Sequence, residues 1–180
     1  SGGQLDISGW QVLDKSEQVK ITFVNGTKLA ANGLLLLERT DDNSVSNVIA
    51  DLVYAGALSN TDEGLRLFDK NCVLIDEVAA SSDWPAGEST ERKTMERSSD
   101  LSWHTYSGNG ENGIFGTSKK ENSPANSSLP LTNADETPNI EETPTNADSH
   151  IVISEIQITG GTGKTNNDFI EIYNPTNTQF

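Results

Sequence analysis

Apolar and polar positions alternate in short runs along most of this 180-residue chain. "GWQVLD", "VKITFV", "KLAANGLLLLE", "VIADLVYAG", "LRLFD", "CVLIDEVA" and "TMERS" each carry the two-residue period of a half-buried strand. No stretch repeats at 3.6 residues. "GLLLLE" is the most apolar run and predicts a strand buried on both faces. Turn-forming groups ("VNGT", "AANG", "TDDNS", "DKNC") separate the runs at short intervals. Many short strands so spaced predict an all-β sandwich or barrel for a body of residues 1–125, with strands from about residue 4.

The pattern changes at residues 126–150, "NSSLPLTNADETPNIEETPTNADSH". Three of the chain's six prolines fall there with five acids and no Lys or Arg, and "TNAD" and "ETP" each occur twice. This is the composition of an extended, acidic, semi-stiff linker. Strand periodicity returns in residues 151–180, in "IVISEIQI" and "DFIEIY" around "TGGTGKTNN". Gly163, Lys164 and Thr165 imitate the end of a phosphate-binding loop. Such a loop needs glycine at position 158, which is Ile158, and must open a helix, whereas a strand pattern follows. The Gly/Asn/Thr cluster therefore reads as a hairpin loop.

A lone hairpin is marginal in water. Ile151, Ile153, Ile156, Ile158, Phe169, Ile170, Ile172 and the terminal Phe180 need a partner surface. The linker reaches about 80 Å when fully extended, so that surface lies on the same chain or on a neighbour.

Composition adds limits. The formal net charge is −15 and the sequence pI about 4.3, which argues against binding nucleic acid or anionic lipid non-specifically. No apolar run is long enough for a spanning helix. Cys72 is the single cysteine, so no intrachain disulfide forms, and it reads as a passive thiol in a turn. His104 and His150 have no metal-ligand partner at a recognisable spacing. The opening "SGG" reads as a processed or engineered start, so the lack of a leader does not bear on secretion.

Candidate chemistry is thin. Glu155 and Glu171 on adjacent strands resemble an acid/base pair, but alternation places them on a solvent face. Asp41 and Asp42, and Asp62 and Glu63, carry the oxygen ligands calcium prefers, yet these residue types also form turns. Trp10, Trp84 and Trp103 fit core or rim packing better than a carbohydrate platform. Asn25 and Asn126 sit in glycosylation sequons. No nucleophile motif is present, so the expectation is a non-enzymatic chain with no obligatory cofactor.

Several segments together resemble the lamin tail domain, an immunoglobulin-like β-sandwich also found in bacterial extracellular proteins. They are "DISGW" (6–10), "ALSNTDEGLRLFD" (57–69), "VLIDEV" (73–78), "DWPAG" (83–87), "MERSS" (95–99), Trp103, "GTSKKEN" (116–122), "ISEI" (153–156) and "FIEIYNP" (169–175). The likeness covers nearly everything but the linker. The order departs from the family's, in which the last two segments come first. Here the body resembles a domain missing its first two strands, and those strands close the chain.

The resemblance implies an extracellular or cell-surface module. A hairpin returning to its own body makes a circular permutant, a monomeric binding domain that recognises a ligand through its loops. A hairpin donated to the next copy makes a head-to-tail ring or fibre. A slice out of phase from a tandem array is a third origin. The acidic linker self-repels and extends, so the expectation leans to self-assembly.

Overall fold

The computed structural model describes residues 3–111, 113–125, 150–158 and 168–176. The linker and its proposed lack of regular structure, the Gly-rich loop with Lys164 and Thr165, Asn126 and Phe180 lie outside the described residues. Among the described residues every regular element is a strand. In chain order they are β1 Gln4–Asp6, β2 Gln11–Asp14, β3 Lys20–Thr22, β4 Lys28–Ala30, β5 Leu34–Arg39, β6 Leu52–Tyr54, β7 Glu63–Phe68, β8 Leu74–Ala80, β9 Met95–Arg97, β10 Trp103–Thr105, β11 Val152–Gln157 and β12 Phe169–Tyr173. The alternating runs of the body all fall on strands. β1 and β10 are too short and too polar to announce themselves.

One sheet has four strands in the order β3-β2-β7-β8. A second has six, in the order β10-β9-β11-β12-β5-β6, and β1 pairs with β4 apart from both. All pairings are antiparallel except β5 with β6. Val12, Ile21, Leu65, Leu67 and Val78 of the four-stranded sheet share one buried cluster with Leu35, Leu37, Met95, Ile156, Ile170 and Ile172 of the six-stranded sheet. Apolar faces of two sheets meeting in one core define a sandwich. Trp10, Trp84 and Trp103 pack partly buried against it, as core and rim residues.

β5 is buried on both faces, as its unbroken leucine run requires. Its inner leucines join the main core. Leu36 turns outward and meets Val45, Ile114 and Phe169 in a second cluster. The segments around residues 40–50 and 113–123 thus roof the outer face of the six-stranded sheet.

The C-terminal strands occupy the middle of that sheet. β11 pairs with β9 and β12 with β5 of the same chain. Gly3 and Asn174 also meet on the turn between β4 and β5. The Ala31 amide donates to Gly3 at 3.0 Å, while Asn174 exchanges backbone hydrogen bonds with Asn32 and Gly33 at 2.8 and 3.0 Å. The Asn174 side-chain amide donates to the Ala30 carbonyl at 2.9 Å.

Candidate functional site

The most elaborate polar site among the described residues is the socket between β9 and β5 that holds the hairpin. It begins with a spacing problem. Ile151, Ile153, Ile156 and Ile158 all pack on the main core, yet the step from Ile153 to Ile156 is three positions, an odd number. Strict alternation would send one of the two isoleucine pairs outward. A one-residue register shift between Ile153 and Glu155 resolves this. The bulge turns the strand by half a period, so both pairs face inward.

A bulge leaves backbone groups outside the ladder, and here body side chains take them. The Ile153 amide donates to Asp76 Oδ2 at 2.8 Å. Its carbonyl accepts Arg97 Nε at 3.2 Å. The Ser154 carbonyl accepts Asn122 Nδ2 at 2.9 Å. Arg97 Nη2 reaches both oxygens of Asp76 at 2.8 Å, Nη1 reaches the Leu101 carbonyl at 3.1 Å, and the guanidinium lies 4.5 Å from the Trp103 ring. Asp76 stands on β8 of one sheet and Arg97 on β9 of the other. Their ion pair therefore crosses the sandwich, mostly buried, with side-chain exposures of 8% and 10%.

The outer face contradicts the sequence expectation. Glu155 and Glu171 are not solvent-facing: both are fully buried at 0% exposure. The reason is the roof, which alternation along a single strand does not register. Glu155 pairs across strands with Glu171 on one side and Glu96 on the other, so three buried glutamates stand in a row. Residues 116–123 supply donors from above. The Thr117 amide donates to Glu155 Oε1 at 2.9 Å and its hydroxyl to Glu96 Oε1 at 2.8 Å. The Lys119 amide donates to Glu171 Oε2 at 2.6 Å, and the Ser123 amide to Glu96 Oε2 at 3.0 Å. Gly116 is required there, since a Cβ would overlap Glu155 Oε1 and crowd Thr94. Burial pushes the Glu171 carboxyl up to about 7, against hydrogen bonds from Lys119 and Ser154. Burial, then the neighbouring Glu171, raises Glu155 well above the ordinary range.

The proposed assembly residues converge. Ile151, Ile153, Ile156, Ile170 and Ile172 are buried in the main core, Ile158 packs at its edge, and Phe169 fills the second cluster. The calcium candidates do not. Asp41 and Asp42 are exposed, and Asp42 accepts the Ala50 amide at 2.8 Å. Asp62 is exposed and pairs with Lys15. Its neighbour Glu63 is buried and accepts the amides of Lys15, Ser59 and Gly64 at 3.0–3.2 Å. Among the described residues no group of three or more His, Cys, Asp or Glu is placed to hold a metal. Cys72 is free and exposed. Sequence reasoning missed Asp76, Arg97, Asn122 and the Glu96–Glu155–Glu171 row. The three-residue step in "ISEI" was the one available signal for the bulge that Asp76, Arg97 and Asn122 serve.

No family model, curated protein or solved structure matches the chain. Among the described residues no helix is long and apolar enough to cross a membrane, which leaves strand-built membrane proteins unaddressed.

Proposed function

We propose that the chain is a non-enzymatic, extracellular structural module of lamin-tail-like, immunoglobulin-like architecture, whose C-terminal hairpin is its assembly element. One observation carries this reading. The two strands farthest along the chain fill the central positions of a six-stranded sheet, between β9 and β5. Central strands bury both faces and use both edges, so the body without them presents two unpaired edges and an open core. Residues 126–149 join the hairpin to the body, so the same socket serves a hairpin from this chain or from the next copy. Donation to the next copy is head-to-tail and propagates into rings or fibres.

The competing reading is a self-closed, circularly permuted domain that binds a ligand through its loops. It is favoured by the pairing of β11 and β12 with strands of their own chain and by the meeting of Gly3 and Asn174 on one turn.

Two full-length variants separate the readings. One carries a damaged hairpin (Ile156→Asp, Ile170→Asp) and keeps its socket. The other carries a damaged socket (Leu37→Asp, Met95→Asp) and keeps its hairpin. Mixed assemblies by native mass spectrometry, absent from either variant alone, are the expected result. No mixed species after prolonged incubation, with a monomeric wild type, overturns donation and leaves the closed permutant.

A further inference from the structure

The hairpin carries two carboxyls into a place that holds a third. Glu155 has Glu96 opposite it on β9 and Glu171 opposite it on β12, all three fully buried. The charged groups around the row have partners other than Glu155. The Lys119 ammonium bonds Asp51 and the Leu34 carbonyl. His104 Nε2 lies 3.3 Å from Glu96, with the ring held by Ser98 and Ser123. Arg97 is committed to Asp76 and backbone carbonyls. Among the described residues no Lys, Arg or His pairs with Glu155.

The central position of Glu155, between Glu96 and Glu171, identifies the proton's place. Glu155 Oε1 takes the Thr117 amide, but Glu155 Oε2 is buried with no partner. The buried Thr94 hydroxyl beside the same carboxyl can donate to its ionised form or accept from its protonated form. An ionised Glu155 stands in a dry place between two more carboxyls with no cation paired to it, which favours the protonated form. A protonated Glu155 donates from Oε2 to the Thr94 oxygen.

We propose that the socket admits the hairpin together with a proton: Glu155 docks as a neutral carboxylic acid, and ionisation drives the hairpin out. This rests on the hairpin being the detachable element proposed above. The direction follows from linkage. A carboxyl whose docked form holds its proton more tightly than its released form stabilises docking fully at low pH. That contribution is lost as pH rises from the ordinary glutamate value through the docked value. Glu171, pushed up to about 7, acts in the same sense between about 4.5 and 7. Below that window carboxylates such as the exposed Asp6 and the half-buried Asp69, held low by hydrogen bonds from Ser8 and Val73, oppose the trend. The informative range is therefore pH 5–8, and comparison with a variant cancels the contributions of all other groups.

The test is urea unfolding of the full chain from pH 5 to 8, for wild type and Glu155→Gln. Each proton taken up on docking raises the unfolding equilibrium constant by about tenfold per pH unit. The wild type should destabilise with rising pH, with Glu155→Gln lowering the slope by close to one proton. Infrared spectra of the wild type near pH 6.5 should show a protonated-carboxyl band that Glu155→Gln diminishes. If that variant does not fold, Glu171→Gln gives the slope comparison and the wild-type infrared band stands alone. Equal slopes in variant and wild type, greater stability at pH 8 than at pH 5, or no protonated-carboxyl band would each overturn the proposal. The slope is read on one closed chain, so it holds or fails whether or not hairpins pass between chains. Exchange that proceeds equally at pH 6 and pH 8 would sink the proton linkage and leave donation standing.

Discussion

The hairpin is buried on both faces, but the two faces are held by different chemistry. Its inner face is isoleucine against the leucines and valines of the opposite sheet. That contact is non-directional and grows with area. Its outer face carries Glu155, Glu171 and Ser154 under a roof of backbone N–H groups and hydroxyls. That contact is directional and fails sharply when one partner is wrong. The inner face therefore supplies affinity for any apolar hairpin. The bulge clamp and the glutamate row supply register and choice of hairpin.

The broadest way to break this comparison is to remove both faces at once. Truncation after Ala125 strips the sandwich of two central strands and their five core isoleucines. Burial of one such side chain contributes about 1.5–3 kcal/mol, and a whole domain retains about 5–15 kcal/mol. The truncated body should lose cooperative urea unfolding and dispersed amide resonances. A well-folded body would end the idea that the hairpin completes it.

The clamp is next in size. Asp76→Ala leaves Arg97 without its carboxylate and the Ile153 amide without its acceptor, inside the sandwich. Breaking a buried pair from one side costs about 3–5 kcal/mol. The double variant Asp76→Leu, Arg97→Met should cost less than the sum of the two single changes, since it buries no orphaned charge. Additive effects in a denaturation cycle would show that the two side chains act separately.

The outer face can be tested alone through Gly116. A Cβ there overlaps Glu155 Oε1 and crowds Thr94, both buried and unable to retreat to solvent. Overpacking of that kind costs about 1–3 kcal/mol. Gly116→Ala should lower the urea midpoint while leaving the inner isoleucine contacts intact, as side-chain methyl spectra would report. An unchanged midpoint would mean the roof is looser than its hydrogen bonds imply.

These contrasts also show what the sequence made legible. All strands of both sheets but β10 follow from alternation and turn residues, and the partner-seeking isoleucines were evident because a lone hairpin cannot bury them. The outer face was not legible. Period-two alternation says which residues share a face, not whether a loop later covers that face. Glu155 and Glu171 alternate like surface residues and become buried because residues 113–123 fold over them. Asp76 and Arg97 sit 21 residues apart on different sheets, and nothing local pairs them. Even the bulge, written in the step from Ile153 to Ile156, declares itself only once the core face is known.

The smallest expected effect separates two neighbouring acids. Asp62 is exposed and meets only the exposed Lys15, a pair that solvent screens. Surface pairs of this kind are worth about 0–1 kcal/mol. Asp62→Asn should therefore leave the urea midpoint almost unchanged. Glu63, one residue on, is buried and gathers the amides of Lys15, Ser59 and Gly64. Glu63→Ala orphans all three donors at the start of β7, and a buried unsatisfied group costs about 1–3 kcal/mol. The same two variants decide the calcium reading of this turn. Were the pair a cation site, calcium would raise the wild-type midpoint and Asp62→Asn would abolish the rise. Its geometry, with Glu63 turned inward onto amides and Asp62 outward onto a lysine, predicts no calcium response in either variant or the wild type. A calcium-dependent shift lost in Asp62→Asn would show that the turn rearranges around a cation.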